Sequence, residues 1–599
     1  MSSVFSPARN NSTYFVVGLA VALIAAAIYL GCIVSPPSLM DDVDAVQAQI
    51  ARNMLDSGDW VTARLDGVAY LEKAPLIYWL IATCYKIFGV HDWAARIPVA
   101  LSTIGLAWLT AAMGVWAFGR RAGFYAGLCM ATCIGLFLFT RIQIPDSMQT
   151  ASIALALWAF LRVMDESEAR PRLWAAIMAA SMGVGLLLKS LIGVVFPVAA
   201  MGLYLLLTRQ LFQRKTWRRL HVVSGIAIIL AIAAPWHILA TLRNPPYFDF
   251  TMHSAPSEYH GFFWFYFINE QLLRFLDLRY PRDYNTVPRL WFWLLHLVWL
   301  FPWSVYLPAA ARLSYRPVDR SGRMRMLALC WIGFVLVFFT FSTTQEYYSM
   351  PCYPALALLI GCAMAEGGRW VVWGTRAMGA AAACAGVTVF VLWFWVRNLP
   401  APGDISSALS HNPGAYTLSL GHMQDLTIDS FAYLRAPLLV AGLAFAIGAV
   451  GVFLWRDWRT SLAAAAMMVV FFHAARMALV TFDPFLSSKP MADALLKQPP
   501  GTLVIDHHYY TFSSVFFYTG RRAWLLNGRF NNLVYGSYAP GAPDVFLNDG
   551  QWQRMWLSPE RAYLVADEEQ MPRFRALVGD EKLGVVLRSG GKVLLANTR

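Results

Sequence analysis

The chain has 599 residues, of which 58% are hydrophobic, 15% aromatic and only 14% charged, with a net charge of +13. A soluble globular chain carries about 25% charged residues, so the composition excludes a soluble protein and points to a polytopic membrane one. The basic excess is that of arginines gathered in loops on one membrane face, and it gives no reason to expect a nucleic-acid partner.

In chain order, the apolar segments predict about thirteen transmembrane helices: 14–34, 95–118, 122–140, 147–163, 173–188, 191–208, 221–240, 290–310, 326–342, 350–366, 376–396, 436–455 and 461–481. The first is read as a retained helix, because no small-residue cleavage site and soluble domain follow it. The segment 75–89 is apolar but too short to span and is assigned to the interface. Alternate loops hold Arg120-Arg121, Arg162/Arg170/Arg172, the Arg209–Arg219 group, the Arg312–Arg325 group, Arg369/Arg376 and Arg456/Arg459. With thirteen helices these fall on one side, the cytoplasmic one. The N-terminus is then cytoplasmic, and the long loops 35–94, 241–289 and 397–435 lie outside together with the C-terminal tail.

The eight cysteines all sit in or beside apolar segments. Cys129 and Cys133, one helical turn apart, read as small packing residues, since a structural metal site needs four ligands. From about Asp483 the composition changes. Runs at 502–505, 523–526, 545–547 and 592–596 read as short strands among helices and Gly/Pro/Asn turns. The expected organisation is a membrane domain over 1–482 and a small α/β extracytoplasmic domain over 483–599.

Charge is scarce, so its placement is informative. Asp41, Asp42 and Asp44 cluster just after the first span. One Asp could cap the next helix, but three exceed that need. Asp146 follows Pro145 at a helix entrance, where capping is again the plain explanation. Lys189 lies at a helix end, where lysines snorkel to headgroups. Glu270 and Arg274 are spaced to pair on one helix face. Tyr347 and Tyr348 fit an interfacial aromatic belt. His507-His508 would point to opposite strand faces and reads as two ordinary histidines.

Several runs belong together: Arg52-Asn53-Met54-Leu55, Ser57-Gly58-Asp59-Trp60, Arg64, Gly67-Val68 with Tyr70, and Glu72-Lys73 with Pro75-Leu76 and Tyr78-Trp79. Further on come Leu188-Lys189-Ser190 with Pro197, Pro235-Trp236, Glu270 with Arg274-Phe275, Pro302-Trp303-Ser304, and Tyr348 with Pro351-Cys352-Tyr353 and Leu356. In this order they resemble bacterial membrane glycosyltransferases that move aminoarabinose from undecaprenyl phosphate to lipid A, with protein O-mannosyltransferases as more distant members of the same C-type (GT-C) architecture. Asp41-Asp42-Val43-Asp44 replaces the family's usual first acid motif, Ala74 stands where a first proline is usual, and Gln271 where many relatives have histidine.

The resemblance implies transfer of a sugar from a polyprenyl-phosphate donor to a glycolipid, glycan or protein acceptor at the outer face of the bacterial inner membrane, by a monomer among membrane lipids. Breaking the C1–O bond leaves a phosphate of growing negative charge, which cations binding the leaving oxygen stabilise in the transition state. Lys73, Lys189 and Arg274 are expected there, with Asp44, Arg64, Tyr70 and Tyr348 as further substrate-binding residues. A carboxylate must take or orient the acceptor proton; Asp42 is expected in that role, with Asp41 nearly equal and Asp146 in support. No cofactor is required; a divalent metal would find candidate ligands in Glu72 and Glu270. A transporter usually shows paired halves and charges near the bilayer midplane, unlike these acids at helix ends. A ligase of lipid-linked glycans fits the first-loop motif less well, and a mere anchor for the tail leaves the membrane-edge charges unused.

Overall fold

The computed structural model describes residues 7–34, 37–282, 287–342, 344–400, 403–404, 429–455 and 458–597. Most of the expected loop 397–435, Arg456 and both chain termini lie outside the described residues.

Ten helices among these residues are long and apolar enough to cross a membrane, or eleven if a pair over Arg289–Trp299 and Trp303–Ala310, bent by 98°, counts as one span. Two of the thirteen expected spans take another form. The segment 122–140 is split at Cys133, whose backbone is extended, into Arg120–Thr132 and Ile134–Phe139. The segment 191–208 is the shorter helix Ile192–Leu207. Helices 92–118 and 120–132 close on each other through glycine: a Cβ on Gly114 would stand 2.7 Å from the Gly123 Cα. Small residues are how membrane helices bring their backbones together when lipid is as apolar as the side chains. Elsewhere the apolar surface faces outward; helix 222–243 exposes Val223, Ile226, Leu230 and Ile238, a surface suited to hydrocarbon.

At one end of the bundle the segment after the first span folds back as a separate layer. Helix Val43–Ser57 is amphipathic and ends at Gly58, whose left-handed backbone closes the last turn. A hairpin follows, β1 (Arg64–Leu65) against β2 (Val68–Ala69), with Arg64 opposite Ala69. Helix Leu76–Phe88 is the short apolar segment predicted not to span; it buries Ile77, Tyr78, Ile81, Ala82 and Tyr85.

The tail forms a six-stranded mixed sheet: β3 (Thr502–Asp506), β4 (Trp524–Leu526), β5 (Phe546–Leu547), β6 (Ala562–Asp567), β7 (Gly584–Ser589) and β8 (Lys592–Ala596), in the order β5-β4-β3-β6-β8-β7. Strands β3 to β6 are mutually parallel where they pair, and β8 runs antiparallel between β6 and β7. Strands β6 and β7 were not anticipated from the sequence. Both faces of the sheet are covered, as parallel strands require. Val504, Leu564, Val593 and Leu595 pack with Trp552, Trp556 and Phe574 from helices 549–556 and 571–578. Alternate residues, Leu503, Ile505, Tyr563, Val565 and Leu594, share one core with Val46, Ile50, Ile77, Tyr78 and Tyr85 of the folded-back layer and with Val99, Met148 and Leu188 at helix ends. The tail sheet and the first loop therefore lie on the same face of the bundle.

Candidate active site

Beneath that layer is a cavity of about 370 Å³, the size of a small ligand site. Four elements deliver its charged groups. The segment after β2 brings Glu72 and Lys73. Asp146 opens helix Asp146–Met164 directly after Pro145, and Lys189 closes helix Pro171–Leu188. Glu270 and Arg274 come from a π-helical stretch, Trp264–Leu273, and the turn that follows it. Such widened turns recur at functional sites. Leu191, Ile192, Val195, Phe275, Phe338 and Phe339 make an apolar wall.

The polar groups form one connected network. Lys189 Nζ donates to Asp146 Oδ1 at 2.5 Å and lies 5.2 and 5.1 Å from the ring centres of Tyr347 and Tyr348. The aromatic faces add attraction to an ammonium already paired with Asp146. Arg274 donates to Glu270 Oε2 at 2.8 Å and to the Tyr348 hydroxyl at 3.1 Å, and reaches to 3.9 Å from Glu72 Oε1. Lys73 pairs with Glu72, which also accepts from the Tyr70 hydroxyl at 2.5 Å and from the Asn532 amide. Behind them Arg279, fully buried, donates to Glu270 Oε1 and to Asn532 Oδ1, each at 2.5 Å. Burial by itself raises the Glu72 carboxyl, but Lys73, Arg279 and Arg274 together hold it down to about 2. Lys73, Lys189, Arg274 and Arg279 face Glu72, Asp146 and Glu270, so the group is net positive before any substrate enters.

The structure thus brings Lys73, Lys189, Arg274, Tyr348 and Asp146 to one cavity, with Tyr70 bracing Glu72. Asp41, Asp42, Asp44 and Arg64 are not among the residues that line it, which corrects the expected place of the first acids. Asp41 instead binds the tail: it accepts from Lys592 Nζ at 2.8 Å, Ser488 Oγ at 2.6 Å and the Ser514 amide at 2.9 Å. Asp44, 1% exposed, pairs with Arg96 at 3.2 Å and accepts from the Gln143 and Met40 amides. Asp42 precedes helix 43–57 with φ +71° and no side-chain cap bond; its amide donates to Tyr510 O and its carbonyl accepts from Ser513 Oγ. A non-glycine residue there is strained and persists only because its surroundings impose it; the imposition comes from the tail. The Asp41 and Asp44 side chains and the Asp42 backbone thus serve a fixed join.

The metal candidates fare similarly. Glu72 and Glu270 are each engaged by lysine or arginine, and among the described residues no group of three or more His, Cys, Asp or Glu side chains is placed to hold an ion. The donor set does not fit a divalent metal. Two participants escaped the sequence reading: Arg279, hidden in the run Leu278-Arg279-Tyr280-Pro281, and Asn532, from the tail some 460 residues beyond Glu72.

This fold and site define a multi-pass membrane protein of the GT-C glycosyltransferase fold. The crystal structure of ArnT from Cupriavidus metallidurans bound to undecaprenyl phosphate is similar over 98% of each chain, with a TM-score of 0.75 and 22% identity, and the apo form of the same protein gives 0.74. The sequence resembles undecaprenyl phosphate-alpha-4-amino-4-deoxy-L-arabinose arabinosyl transferases: 28% identity to that of Aeromonas salmonicida over 326 residues, covering 53% of this chain and 55% of the relative, and 30% to that of Pseudomonas aeruginosa over 331 residues, covering 53% and 54%. The chain thus spans about half the length of the curated relatives it matches. The family described as dolichyl-phosphate-mannose-protein mannosyltransferase matches residues 72–239.

Proposed function

We propose that this chain is a glycosyltransferase that moves a sugar from an undecaprenyl-phosphate-type donor to a lipid A-like or other envelope glycolipid, at the outer face of the bacterial inner membrane. The observation that carries the reading is the convergence of Lys73, Lys189 and Arg274 in one cavity whose other wall is apolar. A polyprenyl phosphate presents the matching pair, a phosphate and a hydrocarbon chain.

The chemistry follows from the geometry. The donor phosphate lies among the three cations and the sugar projects toward Asp146. The acceptor hydroxyl attacks C1 from the face opposite the phosphate; the C1–O bond to phosphate breaks with inversion, and the proton passes to the Asp146 carboxylate. Charge gathers on the leaving phosphate as the bond breaks, so the cations bind the transition state more strongly than the ground state. Lys189 is already held at Asp146, and the incoming phosphate shares that ammonium, freeing the carboxylate to take the acceptor proton.

The site lies on the face that carries the tail. With the basic loops opposite, that face is extracytoplasmic and the N-terminus cytoplasmic; a reporter active only outside the cytoplasm and fused to the C-terminus should be active. A second reading, transfer to a protein hydroxyl, is favoured by the match over 72–239, which contains Lys73, Asp146 and Lys189. One experiment tests both: mass spectrometry of envelope lipids and glycoproteins from cells with and without the protein. Loss of a sugar from glycolipid supports the first reading, loss from protein the second. An unchanged envelope, with no turnover of a polyprenyl-phosphate sugar by purified protein, would sink both.

A further inference from the structure

A second cavity, of about 290 Å³, opens between the first loop and the tail sheet, and shares no lining residue with the first. Arg52 and Arg64 line it from the loop side, Arg521 and Arg522 from the turn before β4; Asp56 and Asp66 are its carboxylates. Four cations against two anions make it positive. Little of that charge is taken up by pairing: Arg52 stands 3.6 Å from Asp56, a largely exposed side chain, and Arg64 donates to the Gly67 carbonyl at 3.2 Å. The buried Nη1 of Arg521 has no hydrogen-bond partner among the described residues. A buried cationic donor without an acceptor is costly unless a ligand supplies one.

The cavity has the marks of a built site. Gly520 adopts φ +66°, and a Cβ there would stand 2.5 Å from Arg52 Nη2. The glycine therefore makes the left-handed turn and also leaves the space in which the guanidinium lies. Gln49, 7% exposed, has its Oε1 buried without a partner among the described residues, while its amide donates to Asn53. Tyr509 and Phe516, stacked 4.0 Å apart, add an aromatic wall. Arginine forks suit phosphate, buried acceptors suit hydroxyls, and an aromatic wall suits the C–H face of a sugar ring. A bare anion would use only the first of these.

We propose that this cavity binds the phosphorylated sugar of the acceptor glycolipid, its phosphate on Arg52, Arg64, Arg521 and Arg522, its hydroxyls donating to Gln49 and Asp66, and its ring against Tyr509 and Phe516. A third cavity, of about 10 Å³, lies beside both: it shares Met54 and Thr62 with this cavity and Lys73 with the reacting one. A space of that size admits about one water, so the site is read as an anchor for a headgroup, not a passage for it. The identity of the ligand as acceptor rests on the glycosyltransferase reading above; the binding chemistry does not.

The test is equilibrium binding to the full chain in lipid nanodiscs, without donor. The probes are a deacylated glucosamine disaccharide bearing phosphate, the same disaccharide without phosphate, and inorganic phosphate. The phosphorylated disaccharide should bind saturably and more tightly than the other two. Arg521→Gln with Arg522→Gln should weaken it by about tenfold or more for each charge-assisted bond lost. Arg64→Gln, at an exposed position, should weaken it while leaving the melting temperature unchanged. Affinity for undecaprenyl phosphate should stay as in the wild type in all of these. Equal affinity in the arginine variants would overturn the site, and inorganic phosphate binding as tightly as the sugar phosphate would overturn its assignment to a saccharide. Loss of donor turnover as a property of the protein would instead overturn the function proposed above and leave this measurement standing.

Discussion

Two regions of this molecule collect carboxylates at the same membrane face, and they use them in opposite ways. The run 41–44 spends its acids on fixed partners: Asp41 on Lys592 and two serines of the tail, Asp44 on Arg96 and two backbone amides, while the Asp42 backbone is clamped between Tyr510 and Ser513. The cavity gathers Glu72, Asp146 and Glu270 around cations that still face open volume. A carboxylate bonded to fixed groups of the fold is a joint, whereas one that shares a cation beside a void can exchange that partner for a substrate. Acid density in the sequence measures neither; the partner on the other side does.

The largest expected effect tests this contrast by exchanging the roles. Asp146→Asn removes the proposed proton acceptor and should lower turnover of a polyprenyl-phosphate sugar by ~10²–10⁴-fold, measured at saturating donor on purified protein. Asp42→Asn should leave turnover close to that of the wild type. The opposite pattern would return the catalytic role to the first acids and void the distinction.

Next comes stability. Asp41→Ala takes from Lys592, 9% exposed at its side chain, the carboxylate it pairs with at 2.8 Å. Removing one member of a buried pair costs about 3–5 kcal/mol. The variant should melt well below the wild type and expose the tail to protease, while the protein that remains folded binds donor normally. An unchanged melting temperature would show that the tail is docked by its apolar core alone.

Smaller, and confined to the cavity, is the effect of the leaving-group cations. Lys73→Ala should weaken donor binding about tenfold or more, the worth of one charge-assisted hydrogen bond. Lys73→Arg should restore only part, because a planar fork does not replace a compact ammonium. Equal donor affinity for wild type and Lys73→Ala in one defined detergent would reduce this lysine to a structural partner of Glu72.

The membrane character, the short helix 76–88 and four of the six tail strands were legible because each rests on local pattern: apolar length, or alternation between turn residues. Lys73, Lys189, Arg274 and Tyr348 were legible through order and spacing of motifs. What stayed hidden was set by distance along the chain. Nothing in Asp41-Asp42-Val43-Asp44 announces that Lys592 and Ser514 wait for it, and nothing in Asn532 announces Glu72. Strands β6 and β7 were missed for a different reason. Ala562–Asp567 is buried on both faces and lacks alternation, and Gly584–Ser589 is a half-buried edge strand interrupted by a bulge.

The smallest effect concerns pH, and it separates the two regions without removing a catalytic group. Burial disfavours the charged Glu72, yet Lys73, Arg279 and Arg274 outweigh it, and the carboxyl is held at about 2, below its ordinary 4.5. A depressed carboxyl contributes stability that is fully present above its unfolded value and is lost as pH falls through the folded one. The difference in stability between wild type and Glu72→Gln should therefore be constant from pH 8 to about 5, narrow below about 4.5, and be largely gone near 2. Over the working range Glu72 keeps one charge, so the acid limb of the turnover profile should sit at the same pH in both proteins even where the variant is slower. A shifted limb would mean that Glu72 exchanges protons during the reaction, and the carboxylate serving the acceptor would then be Glu72 in place of Asp146.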